Sequence, residues 1–274
     1  MIHKRRVLVG AFLLAVIGLG GFVSVASASH AWDHFHWART SNPFILKLGD
    51  NVSSAWDSYL RAASADWKES NVLNTKVVDG RTDKSCKPTA GRVEVCNGTY
   101  GTNGWVGTAN IRTSGSHIIK GIVKVNDSYF NAAPYNKSSW RQKVLCEELG
   151  HILGLDHRDE NFTNLNLGTC MDYTNDPARN DGLGNNVHPD THDFKMLQKI
   201  YAHLDNTATV EQSADSLASR EALDAEFSDD QTTWGKEIKR STDGHLSLFE
   251  KDLGNGEKVF RHVFWAEPRK NGDK

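Results

Sequence analysis

The segment Glu147-Glu148-Leu149-Gly150-His151-Ile152-Leu153-Gly154-Leu155-Asp156-His157 concentrates carboxylates and imidazoles in a short space. An α-helix turns once every ~3.6 residues, so side chains four apart share a face. Glu147 and His151 therefore point the same way, and Glu148 stands one step round the helix. Gly154 permits a sharp backbone bend, which can return His157 to the same centre. Three such ligands and one open position is the arrangement that catalytic zinc uses. A carboxylate beside the metal but not on it, here Glu148, can take a proton from a water and later return it.

The surrounding sequence has to hold these groups in place. Ser139 to Leu153 predicts a helix, with Ser139 as cap and Gln142 three residues on, a capping-box pattern. Trp140, Val144, Leu145, Leu149, Ile152 and Leu153 give it a broad apolar face, and Gly154 is a natural stop. Upstream, Trp32 to Phe44 reads as a lead-in and early strand. Trp56, Leu60, Ala63 and Trp67 give helical spacing within Ser53 to Ser70. Val72 to Val78 and Ile118 to Val125 read as strands, and Arg92 to Ile111 as strands and turns. Downstream, the Asn-, Asp- and Gly-rich stretch Asn161 to Asp190 predicts a loop. Pro189 to Leu204 predicts a last helix. Thr207 to Asp230 is polar and acidic, and His245 to Trp265 reads as a hairpin around Gly254-Asn255-Gly256.

The Glu147–His157 segment resembles the metzincin signature H-E-x-x-H-x-x-G-x-x-H, which that family follows with a Met-turn. Cys170-Met171-Asp172-Tyr173 stands where such a turn belongs. Glu147 occupies the place of the family's first histidine. The resemblance extends loosely over residues 35–205. It implies an α/β (α+β) zincin fold with a twisted mixed sheet, an active-site helix and a Met-turn. It further implies a secreted Zn2+ endopeptidase acting on protein or peptide substrates, with metal on His151, His157 and Glu147 and with Glu148 as general base. Met171 would form an apolar floor, and Tyr173 would donate a hydrogen bond to the developing oxyanion. Two other outcomes stay open: His188 or His192 completes the sphere in place of Glu147, or the metal is lost and the chain is a catalytically inactive secreted binding protein. A structural zinc protein is a third class. Asp156, beside His157, is a candidate to orient that ligand.

Composition sets the frame. In 274 residues, 38% hydrophobic and 24% charged is a globular balance, and a net charge of −2 offers no basic field for nucleic acid. Lys4, Arg5 and Arg6 precede an uncharged apolar run and then Ala26-Ser27-Ala28, so residues 1–28 read as a signal peptide, with an uncleaved anchor as the alternative. Cleavage would leave no stable membrane association and a net charge of −5. The predicted organisation is a metalloprotease domain over 29–205, then a linker and small C-terminal appendage over 206–274. In an exported chain, Cys86, Cys96, Cys146 and Cys170 predict two disulfides. Spacing alone allows three pairings. Cys86–Cys96 would close a short loop. Cys146–Cys170 is favoured by the Met-turn resemblance, since it would tether the active-site helix to that turn. Asp172, Asp176, Asp181 and Asn185 are candidate Ca2+ ligands, although Asx-rich loops also make such clusters as plain turns. His30, His34 and His36 form a second histidine cluster, read as a solvated lead-in or a weak metal site.

Overall fold

The computed structural model describes residues 30–80, 86–210 and 227–268; the signal-peptide region lies outside these described residues. The strands are β1 His36–Trp37, β2 Phe44–Asn51, β3 Leu73–Asp79, β4 Val93–Gly98, β5 Trp105–Ser114, β6 His117–Asn126, β7 Lys236–Arg240, β8 Leu246–Gly254 and β9 Glu257–Trp265. The helices are α1 Asp57–Trp67, the one-turn α2 Asp127–Phe130, α3 Ser138–Ile152 and α4 Thr191–Ile200. The fold is mixed α/β, and its described strands form one sheet in the order β3-β2-β4-β6-β5-β9-β8-β7, with β1 paired to β6 off this path. From β3 to β6 the pairs are parallel; from β6 through β5 to β7 they are antiparallel.

The C-terminal strands, expected as an appendage, continue this sheet. β9 hydrogen-bonds along the whole of β5, from Trp105 opposite Trp265 to Ser114 opposite Glu257. Phe264 stacks on Trp140 of α3 at 5.8 Å, and Phe260 and Phe264 join the same core as Val144, Leu149 and Ile152. A fully buried aromatic or branched side chain contributes about 1.5–3 kcal/mol, so these strands are bound to the rest by several large contacts.

Helix α3 is buried on almost every side, including at Lys143, Glu147 and Glu148. A helix so enclosed must satisfy its polar groups internally. Tryptophans from two other elements do part of this: Trp67 Nε1 donates to Cys146 O at 3.0 Å, and Trp37 Nε1 to Ile152 O at 2.9 Å. Tyr201 OH donates to Leu153 O at 2.9 Å. The last carbonyls of a helix have no partner within it, so Trp37 and Tyr201 close the C-terminal end. The predicted cap at Ser139 is not used: α3 begins at Ser138 after Lys137, with no side-chain cap bond. The helix opens at the surface, with Ser138 exposed and Ser139 half-buried, and Trp140 is its first buried side chain. A capping box does occur at α4, where Asp190 accepts from His192 N and Asp193 N, and Asp193 Oδ2 accepts from Asp190 N.

The bend after α3 needs glycine. Gly154 has φ +97°, and a Cβ there would lie 2.5 Å from Phe35 O. The N-terminal lead-in pins the bend from outside, with Trp32 N donating to Gly154 O and Asp156 N to His30 O. The disulfides are Cys86–Cys96 and Cys146–Cys170. Among the described residues no helix is long and apolar enough to cross a membrane.

Candidate metal centre

The face of α3 carrying Lys143, Glu147 and His151 points into the molecule. Lys143 Nζ lies 2.7 Å from Glu147 Oε1 and donates to Cys170 O at 2.8 Å, which joins the helix to the residue before Met171. Beyond the glycine bend the chain returns, and His157 Nε2 sits 2.9 Å from Glu147 Oε1 and 3.1 Å from His151 Nε2. Two ligands each ~2.0–2.1 Å from one tetrahedral zinc would lie about 3.3 Å apart, close to the spacing of the two imidazoles.

A third imidazole arrives from β9. His262 stacks on His151 with ring centroids 3.9 Å apart and an interplanar angle of 8°. Ligand atoms of His151, His157 and His262 all lie within 4.8 Å of one another. Neither ring nitrogen of His262 has a hydrogen-bond partner, although the side chain is buried. An imidazole in that state is costly unless a cation or water takes its lone pair. The donor set therefore fits a borderline divalent metal. Sequence reading missed His262 because the strand lies far from the motif. A signal was nonetheless present: strand alternation puts residue 262 on the face of Phe260 and Phe264, in a core-facing row.

The imidazoles are held from behind. His151 Nδ1 lies 2.9 Å from Leu155 O. Asp156 Oδ1 accepts from His157 N at 2.8 Å and lies 3.5 Å from His157 Nδ1, while its Oδ2 pairs with Lys239 of β7 at 2.9 Å. Trp32 packs edge-on to His262 at 4.3 Å and to His151 at 6.1 Å. Met171 is fully buried beneath α3, and a Cβ on Gly150 would fall 2.3 Å from its Sδ. Tyr173 stands edge-on to His157 at 4.7 Å, and its hydroxyl donates to His245 O at 3.0 Å.

The electrostatics follow from burial and near charges. Burial disfavours the Glu147 carboxylate, yet Lys143 and the neighbouring imidazoles outweigh it and hold the group below the usual carboxylate range. Glu148 goes the other way: burial and the charge of Glu147 push it well above that range. Its Oε2 has no partner, and its Oε1 is pressed against Gly107 of β5, where a Cβ would lie 2.7 Å from it. Burial and the adjacent His157 lower His151 to about 3. Burial pulls His157 down as well, but Asp156 and Glu147 leave it raised. Burial and His151 push His262 well down.

Other expected groups lie elsewhere. His188 pairs with Asp66 at 2.7 Å, and His192 stacks on His30 at 4.7 Å. The Asx-rich carboxylates serve the loop itself: Asp172 accepts from Leu167 N and Asn186 Nδ2, Asp181 from Asn166 N and Arg179, and Asp176 from Ala178 N. The N-terminal histidines are not a single solvated cluster. His30 and His36 are buried in different places, and only His34 is exposed. Outside the centre, Trp32, Phe35, Leu248, Phe260 and Asp156 line an apolar cavity of about 460 Å³, so its wall includes two residues that touch the histidine cluster.

No family sequence profile matches the chain, and no curated protein sequence does. Among solved structures, the chain is similar to myroilysin, at 12% identity over 60% of this chain and 82% of that one, with a TM-score of 0.35. It is also similar to high choriolytic enzyme 1, a hatching-enzyme zinc protease from the medaka Oryzias latipes, at 12% identity over 61% of this chain and 94% of that one, with a TM-score of 0.32.

Proposed function

We propose that the chain is a secreted zinc-dependent endopeptidase, its zinc held by His151, His157 and His262. The observation that carries this is the convergence of three imidazoles from a helix, a post-glycine bend and a distant strand, with Glu148 next to them in sequence and short of a partner. Glu147, expected as the third ligand, instead shares Oε1 between Lys143 and His157. It balances the charge of the centre and steadies His157. When bound, zinc would supply Lewis acidity toward a peptide carbonyl and an attacking water.

The chain's own groups do the rest. Glu148, with its affinity for protons raised, accepts the proton of the attacking water and delivers it to the leaving amine. Tyr173 supplies a hydrogen-bond donor beside His157 once its hydroxyl releases His245 O. Asp156 and Leu155 O fix the ring orientations of His157 and His151. The cavity at Trp32, Phe35, Leu248 and Phe260 suits an apolar substrate side chain. The signal-like residues 1–28 and the two disulfides support export to an oxidising compartment.

The near-complete burial of His151, His262 and Glu148 favours a second reading, a zinc that braces a non-catalytic scaffold. Chelation separates the two. With an endopeptidase, 1,10-phenanthroline abolishes casein cleavage by the purified chain, zinc restores it, and the far-ultraviolet dichroism stays folded. No cleavage by the zinc-loaded chain, together with unfolding on chelation, would overturn the endopeptidase in favour of the structural zinc.

A further inference from the structure

A second constellation lies on the side of the fold where the N-terminal lead-in meets the chain leaving α4. His36 Nε2 is 3.1 Å from His203 Nε2 and 3.4 Å from Asp205 Oδ1. His117 Nε2 is 3.2 Å from the same Asp205 oxygen, and His203 Nε2 is 3.6 Å from it. The His36 ring stands edge-on to both other rings, at 5.0 Å from His117 and 4.7 Å from His203. We propose that His36, His117, His203 and Asp205 form a second zinc site, sharing no ligand with the His151 centre.

Three features build this site. Backbone pairing fixes the first two ligands, because His36 and His117 are register partners in the β1–β6 ladder. The other two come as His203-x-Asp205 on a segment stapled to the lead-in, with Asp205 N donating to Arg39 O at 2.9 Å and Thr209 N to Ala38 O at 2.8 Å. The donor atoms are also aimed. Asp205 Oδ2 accepts from Arg39 N and Arg39 NH1, which leaves Oδ1 facing the imidazoles. His36 Nδ1 lies 2.9 Å from His34 O. With a proton on that nitrogen, the neutral ring presents a bare lone pair at Nε2. Ligand atoms of His36, His203 and Asp205 all lie within 4.8 Å of one another, and His117 reaches the same Asp205 oxygen, so three imidazoles and one carboxylate are at hand to complete a tetrahedral zinc sphere.

All four ligands come from the chain, which is how structural zinc is held. The site ties β1, the start of β6 and the exit of α4 into one knot. That knot lies behind the lead-in that carries Trp32 to the first centre. Its function is thus to lock the lead-in over the fold, independent of catalysis at His151.

The test counts zinc. Full-length mature protein is saturated with zinc, dialysed, and analysed for bound metal beside His203→Ala and His117→Ala. Both substituted side chains are partly exposed, at 53% and 34%, so a native dichroism spectrum is expected. Each variant should hold one zinc fewer per chain than the wild type, while His262→Ala keeps this site. With cobalt(II) in place of zinc, the visible bands of one tetrahedral site should vanish in His203→Ala. If both variants bind as much zinc as the wild type, the site does not exist. Should the His151 centre itself hold no metal, the count falls from one to zero rather than from two to one, so failure of the two proposals can be told apart.

Discussion

A carboxylate with 1% exposure stays ionised only beside a compensating cation, and for Glu147 that cation is Lys143. Breaking a buried pair by removing one partner costs about 3–5 kcal/mol, whereas replacing both is often close to neutral. Lys143→Met should therefore lower stability by about 3–5 kcal/mol in urea unfolding, and Lys143→Met with Glu147→Gln should recover most of it. A double-variant loss equal to the sum of the losses of Lys143→Met and Glu147→Gln would show that the pair is not coupled. The proposed metal ligands give a second outcome at this scale. His157 is raised above its ordinary value by Asp156 and Glu147, and a proton must leave it before metal binds. Zinc affinity measured by competitive titration should thus fall about tenfold per pH unit below the His157 pKa and level off above it. His262→Ala should weaken zinc at this centre by more than Glu147→Gln does; the reverse order would return the third position to Glu147.

Helix α3, its glycine bend and the Met171 turn form the element on which these residues ride. Gly150 is the close approach between helix and turn: a methyl group there meets Met171 Sδ at 2.3 Å and Trp67 at 2.8 Å. Overpacking of this kind costs about 1–3 kcal/mol. Gly150→Ala should lower the urea midpoint accordingly and loosen zinc binding; an unchanged midpoint would mean the turn moves freely. At this scale the sequence was informative. The 3.6-residue spacing of Glu147 and His151, the stop at Gly154 and the tryptophan stripe of α1 are local patterns, and the structure places those elements within a few residues of the expected bounds. The misses have physical causes. Ser139 fits the local capping pattern, but the helix starts one residue earlier, at Ser138, so Ser139 stands inside the first turn rather than at the cap position. His262 was overlooked because a lone histidine in a strand acquires meaning only when the sheet brings β9 against β5 and over α3.

At the scale of the whole molecule, residues 227–268 are not separable from what precedes them. β9 covers the otherwise open edge of β5, supplies His262, and buries Phe264 against Trp140. An unpaired edge beside exposed aromatics is prone to aggregation. A chain ending at residue 210 should therefore be less soluble than the full chain and lose tight zinc binding at His151 and His157, as read by size-exclusion chromatography and zinc titration. A monomeric truncated chain with undiminished affinity would make the C-terminal strands an accessory after all. The same geometry explains why the centre is so deeply covered: Trp32 closes it from the lead-in and β9 from the sheet, with the apolar cavity just outside. Cleavage of a protein substrate requires that cover to yield on binding.

Turnover by Glu148 is the most direct measurement. Zinc-loaded mature chain and its Glu148→Gln variant are compared for casein hydrolysis at equal, independently measured zinc content. Loss of a general base lowers rates by about 10²–10⁴-fold, so the variant should retain its zinc and lose cleavage to that degree. Hydrolysis by Glu148→Gln at the wild-type rate, or no hydrolysis by the zinc-loaded wild type, would contradict a metal-dependent peptidase centred on His151, His157 and His262.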